Sequence, residues 1–266
     1  MKIEELHEKL FEHLLFFDKL CRENGIKYFL DSGTAIGAVR EHDFIQWDDD
    51  VDVAMLREDY EKFLKAVVPN LPKNFVMVTP KDYEPLFLDF IPKFLNMDVQ
   101  TKKDDELTKM YHNSISRLAI DIIILDYAPN SKMLQKIMKF KLLVIYCLSL
   151  SKRGFKPIKK YSFFENIVSK IGIFIGGFFT MEQLNKMRDK VLKKYKDTNW
   201  LIRGNPLVNY IGFYPKKCYE KTVLMDFHGV KMPIACGYDE ILTKLYGDYM
   251  IPPKDKSIYE VHADID

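Results

Sequence analysis

A run of acidic residues beside an apolar segment is the strongest chemical signal in this sequence. The segment WDDDVDVAML, residues 47–56, contains the carboxylates Asp48, Asp49, Asp50 and Asp52. Alternate residues of a strand face the same side. A strand over residues 46–56 therefore places Asp48, Asp50 and Asp52 on one face and apolar residues on the other. This pattern predicts side chains that converge on one charged ligand.

Electrostatics favours a cation as that ligand. Two like charges about 5 Å apart repel by roughly 3 kcal/mol at an effective dielectric constant near 20. Magnesium is usually held by one or two carboxylates together with substrate phosphates. A second apolar segment, LAIDIIIL at residues 118–125, supplies Asp121 as a third carboxylate from a neighbouring strand. A solvated acidic edge without a ligand is the alternative.

A turn of small residues precedes the acidic segment, and it consists of Ser32, Gly33 and Thr34. A glycine at a helix start lets the backbone approach a phosphate, which the free amide groups can then bind. Arg40 lies between this turn and the aspartates and is a candidate phosphate or carboxylate contact. Lys93 lies near a predicted strand and is a candidate for binding the nucleotide phosphate or ribose. A solvated surface position is the alternative for both.

Hydrophobic periodicity predicts an α/β chain with a helical insertion. Predicted helices cover residues 3–22, 35–41, 57–68 and 238–246, and the segment 131–196 is rich in helix. Predicted strands cover residues 26–30, 46–56, 76–79, 87–94, 120–125, 207–213 and 231–234. We expect a catalytic core at 1–130, a helical insertion at 131–200 and the rest of the catalytic domain at 201–266.

Composition excludes several classes of protein. The chain has 266 residues, 47% of them hydrophobic, and a net charge of +2, which fits a globular protein without a bulk polyanion partner. The four cysteines form no C-x-x-C pair, so neither a zinc site nor a disulfide framework is expected. The N-terminus MKIEEL lacks the pattern of a signal peptide, and the apolar runs are shorter than the ~20 residues of a membrane span. These features predict a cytoplasmic protein.

A basic and apolar segment lies at residues 132–164. It contains nine Lys or Arg residues between positions 132 and 160 and no acid, around the apolar run 142–150. Such a segment fits peripheral contact with the anionic inner face of the plasma membrane. A buried helical hairpin with solvated lysines, or an oligomer contact, would explain it equally well. Nucleic acid is not expected as a partner, because no known binding module is visible.

Long motifs resemble the signature of the LicD family, which is related to fukutin within the nucleotidyltransferase superfamily. They are LDSGTAIGAVR at 30–40, FIQWDDDVDV at 44–53, IDIIILD at 120–126 and YGDYMIPP at 246–253. The resemblance extends over about residues 5–262 and is weak between about 131 and 205. Ser32 stands where the family usually has a second glycine, and Gln46 where it usually has proline.

The resemblance implies a nucleotidyltransferase-like mixed sheet flanked by helices. It implies that the helix after Ser32 and Gly33 cradles a diphosphate, with Thr34, Arg40, Asp48, Asp49 and Lys93 as further candidate substrate contacts. It also implies that Asp50, Asp52 and Asp121 are catalytic and ligate Mg²⁺ or Mn²⁺. Asp121 is a candidate general base as well.

The activity that the resemblance implies is transfer of a phospho-alcohol, above all phosphocholine, from a CDP-linked donor with release of CMP. The acceptor would be a hydroxyl of a cell-surface glycan, such as lipopolysaccharide or teichoic acid, or of a lipid-linked glycan. Three alternatives stay open at this point. They are polyol-phosphate transfer from CDP-ribitol or CDP-glycerol, nucleotidyl transfer to a small molecule, and a catalytically silent binding protein on the same fold.

Overall fold

The protein has one mixed β-sheet flanked by helices, as the sequence predicts. The computed structural model describes residues 1–154, 163–204, 212–253 and 263–264, and its sheet has nine strands. The strands are β1 Phe29–Leu30, β2 Val51–Leu56, β3 Phe75–Val78, β4 Lys93–Gln100, β5 Arg117–Ala128, β6 Trp200–Arg203, β7 Gly212–Pro215, β8 Thr222–Phe227 and β9 Val230–Ala235. The helices are α1 Ile3–Glu23, α2 Ser32–Ile36, α3 Arg57–Ala66, α4 Glu106–Met110, α5 Lys132–Ser149, α6 Phe163–Gly176, α7 Met181–Leu192 and α8 Tyr238–Tyr246.

The long strand β5 organises the sheet. The strand order is β3-β4-β5-β2-β1-β9-β8, and β6 and β7 extend the sheet beside the second half of β5. β5 pairs in parallel with β2 and antiparallel with β4. Its last residues, from Leu125 to Ala128, pair with β6. Inner strands of this kind are covered on both faces, which explains their nearly continuous apolar sequence.

The two faces of the sheet have different coverings. On one face, the fully buried Val51 and Val53 of β2 belong to a core that also contains the apolar side of α1. On the other face, Ala54 and Ile123 pack in a second core with residues of β6, β7 and α8. By strand alternation, Asp52 lies on the same face as Ala54. The sheet therefore presents its acidic residues on the face opposite α1.

Several predicted boundaries were wrong around the candidate site. β2 begins at Val51 and not at residue 46, because residues 46–47 form a turn in which the Asp48 amide donates to the Ile45 carbonyl at 2.9 Å. Asp48 and Asp50 therefore precede the strand. The first helix after β1 begins at Ser32, before the predicted residue 35, and continues into a π-helical turn, Gly37–Glu41.

The predicted strand at residues 87–94 was also wrong, since β4 begins only at Lys93. Asp89 accepts a hydrogen bond from the Ile91 amide at 2.7 Å, and Pro92 has no amide hydrogen to donate to a neighbouring strand. These two local features keep the segment out of the ladder. Residues 207–211 of the predicted strand 207–213 lie outside the described residues. The strand β7 begins at Gly212.

The helix-rich segment is confirmed as α5, α6 and α7, which follow β5 in the chain and precede β6. Residues 155–162 of the predicted basic segment lie outside the described residues. Where the structure does describe the chain, none of its helices combines the length and the apolar character that crossing a bilayer requires.

His13 is a titratable residue inside the first core. Its ring stacks on Phe94 with 4.9 Å between centroids, and Nε2 donates to the Phe94 carbonyl at 2.9 Å. Burial lowers the pKa of His13 to about 4, against the smaller opposing effect of that hydrogen bond. Because the unfolded chain takes up this proton near pH 6.5 and the folded chain does not, acidification favours unfolding.

We predict that His13→Gln reduces the loss of stability between pH 6.5 and pH 4. Glutamine keeps a donor for the Phe94 carbonyl but cannot be protonated in this range. The wild-type protein should lose up to about 3 kcal/mol more than the variant over this window, from the ~1.4 kcal/mol per pKa unit. Urea unfolding at several pH values measures the difference. Parallel curves for the two proteins would contradict the prediction.

Candidate active site

Four neighbouring strands bring charged residues into one row across the sheet. Lys93 of β4 is opposite Asp121 of β5, and Asp121 is opposite Asp52 of β2. Asp31 directly follows β1, and its amide donates to the Asp52 carbonyl at 3.0 Å. Neighbouring strands are about 4.8 Å apart, so these side chains are close enough to interact strongly. The structure thus brings the predicted Asp52 and Asp121 together.

The aspartates of this row repel one another. Burial raises the pKa of Asp52 well above its usual range, and repulsion by Asp50, Asp121 and Asp31 adds to the effect. The pKa of Asp50 is raised in the same way by burial and by Asp48, Asp121 and Asp49. Burial and mutual repulsion therefore both oppose ionisation of Asp50 and Asp52.

Lys93 is the cation inside the cluster. Its Nζ donates to both oxygens of Asp121, at 2.7 and 2.6 Å, and lies 3.9 Å from Asp89. These carboxylates raise the pKa of Lys93 although burial, the largest single effect, lowers it. Burial raises the pKa of Asp89, with Lys93 opposing the shift. Sequence patterns did not identify Asp89 as a site residue. A lone carboxylate among apolar residues was the signal that could have identified it.

The first residues of α2, from Ser32 to Thr34, contact the aspartates and hold them in place. Thr34 is buried, and its Oγ1 accepts a hydrogen bond from the Asp52 amide at 2.9 Å. A Cβ added at Gly33 would collide with the carboxylate of Asp48, so that carboxylate rests against the glycine. Ser32 has φ +49°, in the left-handed region that glycine adopts without strain. A glycine at this position, as the LicD signature usually has, would fit the turn.

Two other predicted substrate contacts hold the C-terminal part of the chain. Arg40 Nη1 donates to the Tyr249 carbonyl at 2.7 Å, within the motif at 246–253. Asp49 is buried and accepts a hydrogen bond from the Ala263 amide at 2.6 Å. Arg40 thus joins the motif at 30–40 to the closing motif, and Asp49 joins the acidic segment to Ala263. Substrate contact by Arg40 and Asp49 stays a prediction.

Burial raises the pKa of the Asp48 carboxyl to about 7, with repulsion from Asp52 and Asp49 adding to it. The main-chain carbonyl of Asp48 accepts a hydrogen bond from His7 Nε2 at 2.7 Å, which fixes the segment to α1. Asp48 therefore lies between Gly33 and the acidic row, where the turn and the strand meet.

Arg203 is a second buried cation at the site, and no local sequence pattern indicates it. Its guanidinium donates to Asp31 at 2.7 Å and to the Ser32 hydroxyl at 3.1 Å, and the residue has no exposed surface. Asp31 and Arg203 are 172 positions apart in the chain. The ion pair fixes the turn to the end of β6, beside the acidic row.

The donor atoms suit a divalent cation. Asp50 and Asp52 supply hard carboxylate oxygens whose mutual repulsion a cation would relieve, and two carboxylates plus substrate phosphates are a usual magnesium environment. No three carboxylate, imidazole or thiolate groups of the described residues are already gathered as a complete site. Asp121, the predicted third ligand, has both oxygens engaged by Lys93.

We predict that Arg203→Met lowers the free energy of unfolding by about 3–5 kcal/mol, because it leaves Asp31 buried without its partner. The double variant Asp31→Asn/Arg203→Met should recover most of this loss. Urea unfolding measures both. Lys231→Met is the matched control, since it breaks a solvent-exposed pair with Asp226 and should cost less than about 1 kcal/mol. A loss for Arg203→Met as small as the control's would contradict the prediction.

Known proteins resemble this chain over most of its length. The family model LicD/FKTN/FKRP, nucleotidyltransferase domain, matches residues 25–165, which is more than half of the chain. The lipopolysaccharide cholinephosphotransferase LicD of Haemophilus influenzae is 29% identical over 246 residues, 90% of this chain and 88% of that protein. An uncharacterized protein of Rickettsia prowazekii is 43% identical over 51 residues, 19% of each chain. The chain belongs to the LicD/FKTN/FKRP family and is a LicD-like phosphotransferase.

Proposed function

We propose that this enzyme transfers phosphocholine from CDP-choline to a hydroxyl group of a cell-surface glycan and releases CMP. The row formed by Lys93, Asp121 and Asp52 carries the proposal, because it joins a buried cation to carboxylates on adjacent strands. The similarity to a lipopolysaccharide cholinephosphotransferase supports phosphocholine as the transferred group and a lipopolysaccharide-type glycan as acceptor.

The proposed reaction is a substitution at the phosphorus atom that bears choline. The acceptor oxygen forms a new P–O bond while the bond from phosphorus to the bridging oxygen breaks, and that oxygen leaves with CMP. The acceptor hydroxyl gives up its proton. Such transfers depend mainly on positioning and on stabilisation of the phosphate oxygens, so the protein needs few covalent steps.

A divalent cation, Mg²⁺ or Mn²⁺, would supply charge neutralisation of the diphosphate at this site, held by Asp50 and Asp52, while Asp121 beside them is the proton acceptor of this proposal. The chain's own residues keep these ligands in place. Thr34 fixes the backbone at Asp52, and the β2–β5 pairing fixes Asp121 beside it. In our proposal the turn at Ser32 and Gly33 faces the donor diphosphate, with Asp48 at its border.

Lys93 connects donor binding to proton transfer in this proposal. Without the donor, both oxygens of Asp121 accept hydrogen bonds from the Lys93 ammonium group. The donor diphosphate is a stronger competitor for Lys93, because it brings more than one negative charge. When Lys93 turns to the diphosphate, Asp121 becomes free to accept the proton of the acceptor hydroxyl. Lys93→Met should therefore impair both donor binding and turnover.

We predict that Asp50→Asn and Asp52→Asn each lower turnover at least about 100-fold, the scale of losing one electrostatic contact to the transition state. Neither change should lower the melting temperature, because each removes a buried charge that its neighbours repel. Activity assays and thermal unfolding test the two parts. Asp226→Asn is the control, since Asp226 is exposed and pairs only with Lys231 among the described residues. Full turnover in either site variant would refute the assignment.

Product analysis distinguishes the proposal from nucleotidyl transfer. We expect CMP release from CDP-choline when purified protein, magnesium and a lipopolysaccharide-type glycan are combined, and less release with CDP-ribitol or CDP-glycerol. Release of pyrophosphate from a nucleoside triphosphate, without CMP from any CDP-alcohol, would favour nucleotidyl transfer instead. Faster release from CDP-ribitol would reassign the donor and keep the reaction type.

A further inference from the structure

An exposed apolar stripe runs along helix α5. Its residues lie at spacings of four, three and four, which place them on one side of a helix. They are exposed to 72%, 40%, 67% and 39% in the order Met133, Ile137, Phe140 and Val144. The buried residues of α5, such as Met138, Leu142 and Ile145, lie on the opposite side and pack into the protein. The stripe is therefore apolar surface that the packing of α5 against the rest of the protein does not bury.

Helix α6 and the turn after it extend this apolar surface. Gly172 and Gly176 contact α5 so closely that a Cβ on either would collide with the backbone of Cys147 or Leu148. The exposed side chains of Ile171, Phe174 and Ile175 are therefore not part of this contact with α5. Phe174 and Phe178 are 73% and 77% exposed, and their rings contact each other. Ile171 and Ile175 are also exposed beside them.

Lysines border the stripe on both sides. On the 3.6-residue period of the helix, Lys136 lies along one border and Lys141 along the other. Lys170 lies beside the exposed residues of α6. None of these lysines has a carboxylate partner among the described residues, and α5 contains no acid. A surface with an apolar centre and cationic borders matches a bilayer with anionic headgroups.

We propose that the α5–α6 surface, defined by the exposed apolar residues of these helices and their bordering lysines, docks the enzyme on an anionic lipid bilayer. The helices lie flat on the membrane, with the aromatic side chains inserted at the level of the headgroups. A second copy of the chain is a poorer occupant, because a two-fold interface would bring the same lysines together. The inference extends to α6 the membrane contact expected from residues 132–164, and it does not depend on the donor or acceptor proposed above.

Vesicle flotation tests the proposal with the full chain. We expect the wild-type protein to float with vesicles of phosphatidylcholine and phosphatidylglycerol and to bind at least about 10-fold less to phosphatidylcholine alone. Phe140→Ser/Phe174→Ser should lower binding to the anionic vesicles at least about 10-fold, since both rings are exposed and insertion needs them. Lys136→Gln/Lys141→Gln should lower binding and weaken its dependence on salt.

Leu224→Ser is the matched control, because Leu224 is a 55% exposed apolar residue on β8, away from this surface. It should bind vesicles as the wild type does. Turnover on a water-soluble acceptor should be unchanged in the phenylalanine variant, which separates this proposal from the proposed function. Wild-type protein that stays unbound, or equal binding by the phenylalanine variant, would overturn the proposal. Dimerisation that the phenylalanine variant abolishes, without vesicle binding, would assign the surface to a second copy.

Discussion

Repulsion among carboxylates buried within a packed sheet is the constraint on which the rest of this structure depends. Asp50, Asp52 and Asp121 lie close together beside an apolar core, and burial and repulsion raise the pKa of the first two. Lys93 and Arg203 offset part of this charge, since each forms an ion pair with one aspartate of the row. A bound cation would relieve this repulsion, so the cluster suits a positively charged ligand.

The surrounding contacts keep the charged residues from separating. Thr34 binds the backbone at Asp52, Gly33 leaves room for the Asp48 carboxylate, and Arg40 fastens the π-helical turn to Tyr249. The backbone at Ser32 is itself in a left-handed conformation. The segments that resemble the LicD signature are therefore one connected unit, in which the turn, the acidic segment and the closing motif hold one another. Their joint presence in the sequence has this mechanical reason.

Local patterns predicted the parts of the site that depend on local geometry. Alternation along β2 and the lone Asp121 in β5 were sufficient to predict that Asp52 and Asp121 lie together, since apolar strands of this type form the centre of a sheet. The same reasoning missed Arg203, because its partner Asp31 is 172 positions away in the chain. It also missed Asp89, although Lys93 lies only four positions further on. It also extended β2 too far toward the N-terminus, since alternation cannot show that residues 46–47 form a turn. Short strands such as β6 carry too few residues for a periodic signal.

The proposed donor is negatively charged, so it adds to the repulsion that the carboxylates of the site already exert on one another. A diphosphate adds further negative charge beside Asp50 and Asp52, so the donor and a divalent cation should each raise the affinity for the other, by the same factor. Lys93 alone cannot replace the cation, because it already compensates Asp121. In the proposed mechanism, donor binding would therefore bring both a divalent cation and a new partner for Lys93. In this mechanism the enzyme frees Asp121 as the proton acceptor only when the donor is bound. Proton transfer therefore depends on occupancy of the donor site.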